Sequence, residues 1–458
     1  MKRVSLFFIV LAFLMAGCQK ADDLSSELDY LVKWDGTAAL TFDTKVQPYV
    51  ISTPAQLKLL SDIVNGVNTN PPSGAASTSS YQLSKNLDLN NLDWQPIGTK
   101  DLPFKGSFDG DTHTIKGMYI NSVVGYQGLF GSLEGGTLEG GTIKKINLID
   151  CNITAGEIMM NLDFNGAIVG YNKNGNVEEC TFSGTFTNNG NAAGGIVGKS
   201  EGANARVAYC QNLGIMFGNY GCKIGGIVGF NVGGLIEYCI NYATIKGGSY
   251  YTGGIAGHSV NGTVKNCGNN ADVGGSSNVG GVVGVNVTNL ISNCYNTGNL
   301  GGYSEYGEGY GVGMGGIAGY NSGTLTNCYN TGSINTLAKE DGYYIGGVVG
   351  SNKDGSIINY CYYLKGCAKD GLGASQNGAG TLTPSSTIVD INGSTNAITE
   401  EQGKASQGKT GNNIGNLKYN AHTALLDCLN AWQNDNKTGY SSWTLTGSKT
   451  GYPVLVGK

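Results

Sequence analysis

One five-residue phrase governs what this chain can fold into. It occurs seven times: Gly166–Gly170 (GAIVG), Gly194–Gly198 (GGIVG), Gly225–Gly229 (GGIVG), Gly253–Gly257 (GGIAG), Gly280–Gly284 (GGVVG), Gly315–Gly319 (GGIAG) and Gly346–Gly350 (GGVVG). Successive starts lie 28, 31, 28, 27, 35 and 31 residues apart. A cysteine follows each start by 13–16 residues: Cys180, Cys210, Cys239, Cys267, Cys294, Cys328 and Cys361, with Cys151 in the same place of an earlier, degenerate unit. Other positions register on that cysteine. Three residues before it the chain is always apolar (Val177, Val207, Ile236, Val264, Ile291, Leu325, Ile358). Two residues after it stands Asn212, Asn241, Asn269, Asn296 or Asn330, and four after it a Gly or Ala in six of the seven units. Steps of two are the strand period. The odd step from −3 to the cysteine predicts a bend or bulge between two short strands.

Repeats of this length with strand alternation mean a β-solenoid or a propeller, and a propeller blade needs ~40–45 residues and four strands. The units here are shorter. The expected fold is all-β: a right-handed parallel β-helix, one repeat near one coil, with coils ~4.8 Å apart. The Ile/Val column fills its core. Glycine columns are expected to supply corners with positive φ, and stacked asparagine amides to form ladders. Composition agrees. The 458 residues include 76 Gly but 8 Pro, and a disordered or collagen-like chain would raise both. Charged residues make up 13%, which suits stacked coils in which like charges fall beside each other. The net charge of −5 leaves no electrostatic footprint for nucleic acid. With three His and two Arg, chemistry that needs several of either has little to draw on.

Residues 1–17 read as a signal peptide. Lys2 and Arg3 precede an apolar run, Val4–Met15, too short to span a bilayer. Met15-Ala16-Gly17-Cys18 resembles the lipobox of bacterial lipoproteins, with Met15 where Leu is usual. That resemblance implies lipidation of Cys18. Gln19-Lys20-Ala21-Asp22-Asp23 resembles the acidic signal that exports lipoproteins of Bacteroidota to the cell exterior. The expected location is the outer membrane, lipid-anchored and facing outward. Residues 18–47 are then an acidic tether with a first strand near Ala38–Phe42. Residues 48–150 form an N-terminal cap and the first coils, 151–367 the repeat β-helix, and 368–458 a loop and a C-terminal cap.

Two helices are expected as end caps against exposed strand edges. Thr53-Pro54-Ala55-Gln56 has the form of a capping box with proline in the first turn, and Leu57, Leu60, Ile63 and Val64 make one face. Ala421–Trp432 carries Ala424, Leu425, Cys428, Leu429 and Trp432 on one face. Segments 66–80 and 368–418 read as loops.

The phrase GG(I/V)(V/A)G…(I/V)xxCYNxGx(I/V), clearest at Gly280–Leu300 and Gly315–Ile334, resembles the GLUG repeat. The flanks also resemble GLUG lipoproteins of Bacteroidota: Tyr49–Leu57, Tyr81–Leu89, Trp94–Gly98, Phe104–Gly110, His113–Ile115 and Gly128–Gly131 upstream, then Leu425–Trp432, Trp443 and Gly451–Leu455. The resemblance covers most of residues 30–458. It implies a surface protein of a kind found in some adhesins and beside some IgA-cleaving peptidases.

The candidate chemistry is sparse. The cysteine column fits either buried free thiols or disulfides between coils, since neighbouring strands lie within disulfide range; the thiol reading suits a small residue at one inward position. Cys361 and Cys367 are close enough in sequence to pair, and Cys222 has no assigned place. No metal site follows from the cysteine spacing, and no cofactor is expected. Asp88, Asp93, Asp109 and Asp111 cluster, as do Glu178 and Glu179, and a glycosidase needs two nearby carboxylates; paired acids on a solvated strand face are the plainer reading. Tyrosine is enriched, 26 against 12 Phe. Tyr220, Tyr250, Tyr251, Tyr343 and Tyr344 precede the Gly-Gly corner, and the longest insertion carries Tyr303, Tyr306 and Tyr310 with Glu305 and Glu308. These rings form either a binding patch for sugar rings or a protein partner, or a surface ladder that stabilises stacking. The chain is expected to act as a monomer. The expected function is a non-enzymatic surface lipoprotein that binds a glycan or a protein, with a carbohydrate-active enzyme and a passive spacer as alternatives.

Overall fold

The computed structural model describes residues 32–136, 141–156, 163–218, 222–247, 250–302, 313–335, 344–353, 356–373, 395–398, 424–436, 438–445 and 452–456. The chain is a parallel β-solenoid. Its strands stack into three walls of 18, 17 and 7 members, and every pairing in them is parallel. One coil shows the path: Ala192–Gly194 on the 7-stranded wall, Val197–Glu201 and Arg206–Ala208 on the 17-stranded wall, then Gln211–Asn212 and Ile215–Gly218 on the 18-stranded wall. Among the described residues no helix is long and apolar enough to cross a membrane.

The core is one continuous cluster. Ile168, Ile196, Ile227, Ile255, Val282, Ile317 and Val348 are fully buried, as are the −3 column and all seven cysteines of the repeat column. A second set of inward groups is polar. Asn241 donates to Asn269 at 2.8 Å, Asn269 to Asn296 at 2.7 Å, and Asn296 to Asn330 at 2.7 Å, all with no exposed surface. Each amide also donates to the carbonyl of the small residue two positions on, Ala243, Ala271, Gly298 and Gly332. A second ladder escaped the sequence reading. It runs through Asn172, Ser200, Asn231, Ser259, Asn286, Asn321 and Asn352, one residue past the position after each closing glycine. Asn286 donates to Asn321 at 2.7 Å and Asn321 to Asn352 at 2.8 Å.

The corners differ from expectation. Positive φ falls not on the Gly-Gly phrase but on the residue just before each cysteine: Glu179 (55°), Tyr209 (55°), Tyr238 (55°), Asn266 (53°), Asn293 (53°), Asn327 (52°) and Tyr360 (51°). This single left-handed residue is the odd step. The phrase glycines answer to crowding instead. A Cβ on Gly254 would stand 2.2 Å from the Gly281 carbonyl oxygen and 2.4 Å from Cγ of Asn269. The Gly-Gly corner and the asparagine column therefore pack directly on each other.

The ends also differ. The first described strand is Val32–Lys33, paired with Leu87–Asp88, rather than one at 38–42. Trp34 and Phe42 are buried, so this segment belongs to the body of the fold and not to a tether. Helix α1, Pro54–Val64, has the expected capping box and buries Leu57, Leu60, Ile63 and Val64, with Leu59 as well. Within 368–418, Thr395–Ile398 is a strand on Cys361–Leu364. Helix α2 spans Leu425–Asp435. It and the antiparallel pair Trp443–Thr444/Val454–Leu455 do not close an end: they lie along the flank. Leu425, Cys428, Leu429, Trp443 and Tyr452 cover a ladder of Tyr295, Tyr329 and Tyr362. The left-handed asparagines fasten them there. Asn266 donates to the Gly439 carbonyl at 2.9 Å, Asn293 accepts from the Trp443 indole at 2.7 Å, and Asn327 donates to the Leu429 carbonyl at 3.3 Å.

The amide ladder sets a stability expectation. Asn269→Ala removes a group bonded both above and below, leaving buried partners unpaired at roughly 1–3 kcal/mol each. Denaturant unfolding should show a clear drop in midpoint for Asn269→Ala and little change for the exposed Asn335→Ala.

Candidate binding site

Two outward columns run side by side up the solenoid where the 7-stranded wall meets the 17-stranded wall. The first comprises Phe164, Ala192, Lys223, Tyr251 and Asn278, in register from coil to coil. The second comprises Tyr171, Lys199, Phe230, His258, Val285, Tyr320 and Ser351. Alternation explains both: their neighbours in each strand, such as Thr252 and Ser259, point inward and are buried.

The columns touch each other to form one track. Ring centres of Phe164 and Tyr171 are 5.9 Å apart, and Tyr126 from the preceding coil meets both edge-on at 5.9 and 6.0 Å. The Lys199 ammonium lies 5.0 Å from the Phe164 ring centre, 5.4 Å from Tyr171 and 5.6 Å from Phe230. Lys223 lies 5.4 Å from the Phe230 ring. Phe230 stacks on His258 at 4.9 Å, and Tyr251 meets His258 edge-on at 5.3 Å. Tyr126, Tyr171, Phe230, Tyr251 and His258 are half-buried, and Phe164 is buried beneath them.

The charges in the track are partly tied. Lys199 pairs with Glu201 at 2.8 Å, and the Tyr171 hydroxyl donates to the same carboxylate. Burial raises the Glu201 pKa, but the bonds from Lys199 and Tyr171 outweigh it and hold the group below the usual range. Burial lowers the Lys223 pKa. Burial, helped by the Lys223 charge, pushes His258 down to about 4, so its ring is neutral at pH 7. Both His258 nitrogens are buried and make no hydrogen bond.

Of the tyrosines singled out in the sequence, Tyr251 stands in the first column. Tyr344 directly precedes Ile345, which is in register with Met314, and so falls in the same column. Tyr250 is exposed beside Tyr251. Tyr303, Tyr306, Tyr310 and Tyr343 lie outside the described residues, as do Tyr220 and Cys18. The other half of the track was not foreseen. Its signal is the residue directly after each closing glycine, which reads Tyr, Lys, Phe, His, Val, Tyr, Ser down the repeats.

The remaining candidates are placed as follows. Cys180, Cys210, Cys239, Cys267, Cys294, Cys328 and Cys361 are buried and form no disulfide, and neither do Cys222 and Cys367. Burial raises Cys180, Cys239, Cys267, Cys294 and Cys361 well above an ordinary thiol and Cys151 to about 12. The acids do not assemble. Asp88 is on the 18-stranded wall and Asp109 on the 17-stranded wall. Asp109 pairs with Lys144 at 3.3 Å, and Asp111 accepts from Gln82 at 3.3 Å. Glu178 belongs to an alternating ion ladder: Arg206 binds Glu178 and Glu237, each at 2.8 Å, and Lys265 binds Glu237 at 3.3 Å.

Beyond Tyr126 toward the N-terminus the track opens into a cleft of about 840 Å³. The buried Trp34 and Trp94 lie behind it and contact each other edge-on at 5.9 Å.

No protein-family model matches the chain. It is 29% identical over 184 residues to Halomucin of Haloquadratum walsbyi; the match covers 36% of this chain and about 2% of that much longer protein. Among solved structures it is similar to one from Bacteroides ovatus described as a "putative immunoglobulin A1 protease". That likeness has a TM-score of 0.46 and 20% identity, and it covers 89% of this chain and 92% of the other.

The buried neutral His258 predicts a pH dependence. Its folded pKa of about 4 lies below the unfolded 6.5, so the unfolded chain takes up the proton first. Its contribution is fully present above pH 6.5 and is lost as pH falls toward 4, by up to about 3 kcal/mol at 1.36 kcal/mol per pKa unit. His258→Phe keeps the stack on Phe230. Urea midpoints at pH 7.5 and 4.5 should differ less for His258→Phe than for the native chain.

Proposed function

We propose that this chain is a GLUG-type surface lipoprotein, anchored through Cys18 to the outer membrane and facing outward, that acts by binding and not by catalysis. The observation that carries the reading is the double column of half-buried rings and lysines. A sheet face that only needed to meet water would not hold Phe164, Tyr171, Phe230 and Tyr251 in contact along one seam. Flat rings with one face outward and ammonium groups between them suit a long ligand laid along the solenoid, a glycan or an extended protein segment. The seam repeats every ~4.8 Å with the coils, so an elongated partner meets the same surface several times and gains by multiple weak contacts. The placement of Asp88 and Asp109 on different walls supports the non-catalytic reading, because paired-carboxylate chemistry needs two acids across one substrate.

A screen of the 19–458 chain against glycans and matrix proteins tests this, with Lys199→Glu/Tyr171→Ala as the track variant. Binding is expected in the native chain and at least tenfold weaker in the variant, with an unchanged circular-dichroism spectrum. Binding that the double variant leaves intact would exclude the track. For the anchor, Cys18→Ala is expected to move the protein from the membrane to the soluble fraction, and retention in the membrane would rule out lipidation.

A further inference from the structure

The cleft at the N-terminal end of the track has a character of its own. Its volume falls within the ~300–1,000 Å³ of small-molecule sites. One side is the start of the body around Trp34 and Asp35, another is the segment Asp93–Lys100, and the third is the strand and turn Ile120–Gln127. Helix α1 contributes Lys58, and its C-cap contributes Asn65.

The backbone in the cleft is already used. The Trp94 amide donates to Tyr119, Ile97 to Leu129, Gly98 to the Asn65 side chain, and Gln127 to the Asn165 side chain. Several lining side chains are unengaged. Asp93, Gln95, Lys100 and Asn121 line the cleft and make no side-chain hydrogen bond or ion pair with other described residues. Asp35, its carboxylate held below the usual range by hydrogen bonds from Thr37, adds a second acceptor.

The charges balance: Asp35 and Asp93 against Lys58 and Lys100, with Lys58 further tied to Asp62. A site for a strongly charged ligand would carry one sign. A neutral ligand rich in both donors and acceptors matches a lining that mixes carboxylates, amides and an ammonium. The half-buried Tyr126 ring supplies flat contact beside them and the exposed Val124 an apolar edge, while Trp34 and Trp94 back the cleft from within the core. Hydroxyls around an apolar ring, which is the chemistry of a sugar, meet both demands.

We propose that this cleft is a binding site for a neutral oligosaccharide, held by Asp93 and Gln95 at its hydroxyls and by Tyr126 at a ring face. The site does not depend on the track: only Tyr126 belongs to both. A ligand longer than the cleft would continue past Tyr126 onto Phe164 and Tyr171.

Calorimetry on the full chain tests the proposal with cellohexaose, laminarihexaose, maltohexaose, xylohexaose and mannohexaose as neutral probes and hexagalacturonate as an acidic one. Saturable binding of at least one neutral hexasaccharide is expected, at least tenfold weaker in both Asp93→Ala and Gln95→Ala, with melting temperatures held near the native value. Tryptophan fluorescence should change on binding through Trp34 and Trp94. Lys199→Glu, a track variant, is expected to retain the cleft interaction. No binding of any neutral probe, or tighter binding of hexagalacturonate, would overturn the site. Loss of binding in Lys199→Glu but not in the two cleft variants would move the sugar to the track and overturn it equally.

Discussion

The amide ladder is the constraint on which the rest of the solenoid depends. Asn241, Asn269, Asn296 and Asn330 are removed from water, and an unpaired buried amide costs several times what a paired one contributes. Asn241 donates to Asn269, Asn269 to Asn296 and Asn296 to Asn330, so the run holds only where the same residue recurs at the same place in the next coil. That demand fixes register more firmly than the apolar core, because Ile and Val tolerate a shifted neighbour and an amide pair at 2.7 Å does not. The Gly-Gly corner follows from it. A Cβ on Gly254 would stand only 2.4 Å from Cγ of Asn269, so the corner closes around the ladder only if it carries no side chain.

Once register is fixed inside, it is fixed outside too. Every outward residue sits ~4.8 Å from its equivalents, and what is chosen for one coil is felt by two others. Like charges in one column would repel, and the outer face resolves this by alternation: Glu178, Arg206, Glu237 and Lys265 form a chain of opposite-sign pairs. Rings do not repel, so aromatic columns grow freely. Tyr209 and Tyr238 stack at 4.7 Å with planes 4° apart, and Tyr295 and Tyr329 at 5.6 Å. An aromatic column is thus a natural product of this architecture, and its meaning depends on what covers it.

The parts of this arrangement that repeat were readable from the chain alone. The cysteine register located the core column, the Asn212–Asn330 ladder and the strand period, because seven copies average out local noise. The capping box at Thr53 was readable because its two hydrogen bonds are local. What escaped was of two kinds. The residue before each cysteine varies among Glu, Tyr and Asn; the asparagines accept a left-handed corner readily, but stacking imposes the same backbone on Glu179, Tyr209, Tyr238 and Tyr360, whose identity does not announce it. The second column of the track varies even more, from Lys199 to Phe230 to His258. It becomes visible only when the repeats are aligned on the closing glycine and the outward side is known. The flank position of α2 was illegible for a third reason: an amphipathic helix states that it will be covered, not by which surface.

That flank supplies the strongest argument about the exposed track. On one side of the solenoid a tyrosine ladder, Tyr295, Tyr329 and Tyr362, is covered by the chain's own helix and hairpin, with Trp443 seated against two of the rings at 6.0 and 5.5 Å. The covering piece reads the solenoid as a periodic surface, taking hydrogen bonds from Asn266, Asn293 and Asn327 in three successive coils. The molecule therefore already contains one example of a segment recognised through a stacked aromatic column with polar groups at coil spacing. The track of Tyr171, Phe230 and Tyr251 with Lys199 and Lys223, backed by the buried Phe164, presents the same elements on another side, half-buried. Docking on such a column needs only a partner that is long, flat in places and polar at intervals, and the coil spacing, not any single residue, sets the ruler by which that partner is measured.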